Sequence, residues 1–172
     1  MNVEAVIFTL ISVVFVSGMS IVIMNRFFQN ERSKRAFELK QQNASTTLPM
    51  RLQAYERTLL YLERINPENL LFRVHKGGMS AKLFQVELLK TIRTEYDHNL
   101  TQQLYISTGC WDVVKRCKEE IVKIINMSAA EVGDQASGID LTRVVLTKYG
   151  SLEKKPIQLA IDYLKKEVRQ LF

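Results

Sequence analysis

One stretch constrains this chain more than any other: residues 3–24, VEAVIFTLISVVFVSGMSIVIM, carry a single charged side chain, Glu4. As a helix rising ~1.5 Å per residue they would be about 33 Å long. That length matches the roughly 30 Å hydrocarbon thickness of a bilayer. The hydroxyls of Thr9, Ser12, Ser17 and Ser20 can bond back to helix carbonyls, so they do not bar the segment from lipid. A cleaved secretory signal would have a basic head and a small-residue cleavage site. Here no Lys or Arg precedes the run, and Asn25-Arg26-Phe27-Phe28 follows it. The expectation is a transmembrane anchor over 1–25.

Arg26, Arg32, Lys34, Arg35 and Lys40 all follow the apolar run. Cations flanking a span stay on the cytoplasmic side, so the N-terminus is expected outside and the rest of the chain inside. Residues 26–42 read as a basic juxtamembrane stalk helix. Arg26, Arg32, Lys34 and Arg35 are its candidate contacts with anionic lipid headgroups, at about 1 kcal/mol per residue near the surface. This cluster accounts for a good part of the net charge of +6. Elsewhere the basic residues are interleaved with acids, so no nucleic-acid partner is expected. Cys110 and Cys117 are seven apart, about 10 Å along a helix, which is beyond disulfide reach. No second Cys or His cluster accompanies them, and neither a metal nor a cofactor is expected.

Asn43-Ala-Ser-Thr-Thr-Leu is polar and β-branched and precedes Pro49, which biases Leu48 away from helix. Residues 43–48 are therefore expected as a linker, with Pro49 opening the first helix of a cytoplasmic domain over 49–172. In that helix Leu52, Tyr55, Leu59 and Leu62 form one stripe. Asn66-Pro67 ends it, and His75-Lys76-Gly77-Gly78 makes a corner. Ser80 caps a helix striped by Ala81, Phe84, Leu88 and Ile92. Cys110, Val114, Cys117, Ile121 and Ile124 mark another, starting near Ser107 or Thr108, with 4-3-4-3 spacing. Pro156 opens the last, striped by Ile157, Ala160, Ile161, Leu164, Val168 and Leu171. Residues 139–149 have strand-favouring Thr and Val but no visible partner strand, and are taken as helix. The fold class expected is all-α: an N-terminal span and basic stalk, then a compact bundle of about four main helices.

Catalytic signatures are weak. The Lys76-Gly77-Gly78 corner lacks the glycine spacing and preceding strand of a phosphate loop. Asp97 and His98 are adjacent on a helix and point about 100° apart. Glu119 and Glu120 sit among lysines as a solvated face, and Trp111 reads as an apolar anchor. More suggestive is the repeat Glu56-Arg57 and Glu63-Arg64. It sets acidic and basic rows beside the first stripe and makes these four residues candidate contacts for a partner helix.

The stretch RLQAYERTLLYLERINPENLL, residues 51–71, resembles a family of short, uncharacterised bacterial proteins with an N-terminal span and a helical cytoplasmic domain. The resemblance implies a bacterial inner-membrane location and brings no activity, cofactor or site residues. Together these readings point to a membrane-anchored helical interaction or scaffold protein with a protein partner or self-association. The alternative is a small membrane-bound enzyme whose site assembles from distant residues such as His75, His98, Glu56 and Glu63. Convergence of those four in a closed pocket would favour chemistry.

Overall fold

A computed structural model describes residues 3–171. Residues 1, 2 and 172, and the side chains of 3–6, 8–14, 33, 36, 40, 43 and 44, lie outside the described residues. Two compact units divide the chain, Met1–Leu48 and Pro49–Phe172. The described residues are all-α, in the order α1 (Val3–Ile65), α2 (Pro67–Val74), α3 (Ala81–Asn99), a 3₁₀ turn (Leu100–Leu104), α4 (Thr108–Val132), α5 (Gly138–Gly150) and α6 (Pro156–Arg169).

In the first unit, Phe15, Val16, Met19, Ile21, Val22, Ile23 and Met24 are all exposed on α1. Among the described residues no helix is long and apolar enough to cross a membrane. Half of the expected span, residues 3–6 and 8–14, has side chains that lie outside the described residues.

Two expectations about the start of the second unit need correction. Residues 43–48 are helical, and Pro49 lies inside α1 rather than at the first position of a new helix. An interior proline removes one backbone donor and crowds the carbonyl four residues back. The preceding turn, Ser45 to Thr47, is exposed, so water can reach the freed carbonyl. Ser45 Oγ and Thr46 Oγ1 instead donate to the carbonyl of Gln42, at 2.8 and 3.1 Å. The buried stripe of α1 is also rotated from the expected one: Ala54, Tyr55, Thr58, Tyr61, Leu62 and Ile65 face the core, while Leu52 and Leu59 are half-buried. Thr58 disposes of its hydroxyl by donating to the Ala54 carbonyl at 2.8 Å.

Helix boundaries follow local chemistry. Asn66 caps α2 by accepting from the Glu68 N–H, and Pro67 takes the first turn, where its missing donor costs nothing. Ser80, Ser107 and Ser137 cap α3, α4 and α5 by accepting from the N–H groups of Leu83, Cys110 and Asp140. At α5 the Asp140 carboxylate returns the bond to the Ser137 N–H, closing a capping box. That box fixes residues 139–149 as helix despite their strand propensity. Gly133, with φ of 76°, ends α4 in the left-handed region.

Helix α4 is the hub, packing against α3, α5 and α6, and α3 also meets α5. Its expected stripe of Cys110, Val114, Cys117, Ile121 and Ile124 is buried, joined by Trp111, Ile125 and Ser128. The α3 stripe of Ala81, Phe84, Leu88 and Ile92 is buried as well. Trp111 stacks on Tyr96 with ring centroids 5.6 Å apart, and the Lys118 ammonium lies 4.2 Å from the Tyr96 centroid. The bundle has more pieces than four main helices because α2 and the 3₁₀ turn close corners. At one corner, Ser80 and Ser137 pair as an antiparallel bridge, with Ala81 N–H donating to Ala136 O and Gly138 N–H to Met79 O.

Candidate functional site

Helix α6 presents two faces. Ile157, Ala160, Ile161 and Leu164 are buried in the bundle, while Pro156, Leu159, Tyr163, Lys166 and Gln170 fall on the adjoining stripe at three- and four-residue spacing. That second stripe borders α4. Between them runs a groove of about 520 Å³ lined by Val113, Arg116, Cys117 and Glu120 of α4 and by Leu152, Lys154, Pro156, Leu159 and Tyr163. Its apolar lining is open to solvent, with Leu159 50% and Tyr163 43% exposed. Gly109 lets the two helices close up at one end. A Cβ there would stand 3.0 Å from the Tyr163 hydroxyl.

Tyr163 also borders a second, polar cleft of about 430 Å³, shared with Arg51, Ser107, Lys166, Glu167, Gln170 and Leu171. Glu167 organises it. One carboxylate oxygen, Oε1, accepts from the Tyr55 hydroxyl at 2.6 Å and from the Ser107 N–H at 2.9 Å. The other, Oε2, accepts from Ser107 Oγ at 2.6 Å. Arg51 stands on the opposite wall, its Nε donating to the Tyr105 carbonyl at 3.2 Å and its Nη2 to the Tyr55 hydroxyl at 3.3 Å.

The electrostatics identify this cluster as a clasp. Burial pushes the Glu167 pKa up, but hydrogen bonds from Ser107, Tyr55 and Cys110 together outweigh it and hold the group below the ordinary carboxylate value. Burial, the Glu167 hydrogen bond and the Glu167 charge drive Tyr55 up to about 12, against a smaller pull downward from Arg51. Burial also pushes Cys110 up to about 12, helped by Glu167, and Cys117 to about 12. At neutral pH the cluster therefore holds a carboxylate already engaged by three donors, a neutral phenol and a neutral thiol. Ser107 Oγ donates to that carboxylate and accepts from the Cys110 N–H at 3.1 Å. These bonds join the end of α6 to the start of α4.

A second polar cluster ties α1, α2 and α3. Glu95, 8% exposed, accepts from Arg64 Nη1 at 3.3 Å and from Arg73 Nη1 at 3.0 Å. Arg73 Nη2 also donates to the Arg64 carbonyl at 2.9 Å. Sequence spacing gave no hint of this triad, since its members come from three helices.

Among the residues singled out from sequence, Arg26, Arg32, Lys34 and Arg35 are exposed on α1, and Arg35 lies 3.6 Å from Glu31. Glu56, Arg57 and Glu63 are exposed too. Arg64, their fourth, is engaged by Glu95. The residues considered for chemistry are spread out. His75 packs edge-on against Phe84, with centroids 5.2 Å apart, and borders a shallow cleft with Leu71, Phe72, Ile139 and Thr142. His98, Glu56 and Glu63 are exposed on α3 and α1. No group of three or more His, Cys, Asp or Glu residues could hold a metal ion among the described residues. Cys110 and Cys117 are free and buried.

The groove itself was missed at the sequence level. Leu159 and Tyr163 lie just off the regular α6 stripe, and that offset is the signal that could have found it. No curated protein and no solved structure matches the chain. The model of a family of unknown function, DUF7935, matches residues 1–171, and the chain belongs to that family.

Proposed function

We propose that this chain is a membrane-anchored interaction protein, tethered by residues 3–24 and offering the helical unit 49–172 to a protein partner in the cytoplasm. The observation that carries the tether is the sequence of residues 3–24, with Glu4 as its one charge. The exposed apolar side chains from Phe15 to Met24 support it, because in water they would lie bare. The basic residues after the run support an inner-side location for the following domain. The likeness of residues 51–71 to short bacterial proteins supports a bacterial inner membrane as the site of the tether. Arg26, Arg32, Lys34 and Arg35 then face anionic headgroups. An interaction role is supported by an open apolar groove on a bundle whose buried polar clusters are spent on structure. Confinement at a surface raises the effective concentration of such a protein for partners held there.

Alkaline carbonate washing of membranes tests the tether. The full chain stays in the pellet, and a reporter active only outside the cytoplasm stays silent when fused after Phe172. Release of the chain, or an active reporter, refutes the reading.

A further inference from the structure

We propose that the groove between α4 and α6 binds one amphipathic helix of a partner protein, with its apolar face along Val113, Leu159 and Tyr163 and an acidic end over Arg51 and Lys166. This rests on the interaction reading above but not on the membrane tether. From Glu120 to Ser107 the site follows α4 for about 20 Å at ~1.5 Å per residue, which accommodates about three to four turns of helix. Along the first part the lining is apolar, with Arg116, Glu120 and Lys154 at its edge. Beyond Tyr163 it becomes basic.

Charge selects the occupant. Arg51 and Lys166 line the polar end, and Lys165 and Arg169 border the neighbouring hollow, where Asp162 is the acid. Among the described residues none of Lys165, Lys166 and Arg169 forms an ion pair. Glu167, the other acid there, keeps its charge but has its oxygens taken by Tyr55 and Ser107, so two acids stand against the four cations Arg51, Lys165, Lys166 and Arg169. The end of α6 adds about half a negative charge from its backbone dipole, too little to cancel these cations. Carboxylates of a partner are the complement.

An acyl chain is the poorer fit. It has no polar face of its own to cover the groove, and Leu159 is 50% exposed, so one side of the chain would remain in water. A helix turns its polar face outward and buries only the stripe that meets the groove.

The test uses the purified full chain, in neutral-lipid nanodiscs where it is recovered with membranes and in buffer where it is not. The probe is a fluorescein-labelled synthetic helix of about 14 residues, with leucines at four-three spacing and glutamates at one end. A twin carries lysines in their place. Fluorescence anisotropy is expected to show saturable binding of the glutamate probe only. Leu159→Asp is expected to weaken it by about tenfold or more, a loss of about 1.4 kcal/mol. Lys166→Glu weakens the glutamate probe and strengthens its twin. Because Lys166 is exposed, that charge swap decides the matter even if Leu159→Asp unfolds. Equal binding of both probes, no binding, or losses equalled by Phe72→Ser on α2 would overturn the proposal. Vesicle binding that Leu159→Asp abolishes, without probe binding, would assign the groove to lipid and also overturn it. A chain that stays in washed membranes but ignores the probe loses the groove and keeps the tether; one that is washed off yet binds does the reverse.

Discussion

Replacing Glu167 by Ala removes the acceptor for the Tyr55 hydroxyl, the Ser107 N–H and Ser107 Oγ in one step. Hydrogen bonds to a charged group contribute about 1.5–3 kcal/mol each, and a buried donor left without a partner costs about 1–3 kcal/mol. Tyr55 is 3% exposed, so its hydroxyl cannot turn to water. Glu167 itself is half-buried, and both Ser107 bonds depend on one loop position, so the gains do not simply add. About 2–3 kcal/mol is the net loss expected at pH 7, or roughly 10 °C in Tm for a unit of this size. Trp111, stacked on Tyr96 in the core, reports unfolding of the full chain in urea by its fluorescence. Glu167→Gln keeps an acceptor at Oε1 but not the charge, and loses less. The folded carboxyl has a pKa below its unfolded value, so its stabilisation is complete above the ordinary carboxylate value of about 4.3. It fades as pH falls through the lowered folded value. The gap between native chain and Glu167→Gln therefore closes on acidification below about pH 4. The reasoning is refuted if Glu167→Ala lies within about 0.5 kcal/mol of the native chain at pH 7. It is equally refuted if Glu167→Ala and Tyr55→Phe prove additive in a double-mutant cycle.

Three further outcomes can be measured in the same way. Gly138→Ala places a methyl 3.1 Å from His75 Nε2 and 3.2 Å from the Met79 carbonyl, and is expected to destabilise by about 1–2 kcal/mol; His75→Ala in the same chain relieves only the ring's share of the clash. Tyr61, 1% exposed, has a hydroxyl without a hydrogen-bond partner among the described residues, so Tyr61→Phe is expected to be neutral or to raise stability by up to about 1 kcal/mol; a loss beyond that would reveal a partner for the hydroxyl. Cys110 and Cys117, buried with thiol pKa values pushed up to about 12, are expected to resist iodoacetamide at pH 8 and to react stoichiometrically in urea; rapid labelling of the native chain, read by mass spectrometry, would contradict their placement.

Where local chemistry sufficed, the helices were readable. Ser80 and Ser107 announce α3 and α4 because a hydroxyl there satisfies an N–H that the helix leaves bare. Regular spacing then named the buried residues of α6 and most of those of α3 and α4, though not Glu95, Trp111, Ile125 or Ser128. Reading failed where two local rules competed with packing. Pro49 has the chemistry of a helix start, yet α1 runs through it, and Ala54, Thr58 and Tyr61 join Tyr55 and Leu62 in the core while Leu52 and Leu59 stay half-buried. Of the candidate site, Tyr163 and Leu159 were visible as apolar residues off the stripe. The Glu167 clasp was not, because its members at 51, 55, 107 and 167 share no spacing.

What the sequence determined alone is the all-helical class, the positions of most helix ends, and the concentration of uncharged residues at 3–24, since each depends only on near neighbours or on transfer between water and an apolar phase. Tertiary structure alone decided which face of α1 is buried, that Arg64 serves Glu95 rather than a free surface, and that α4 and α6 leave an open groove leading to a basic end. Those outcomes depend on how helices distant in sequence fit side against side. No pattern within one helix encodes the shape of the gap between two.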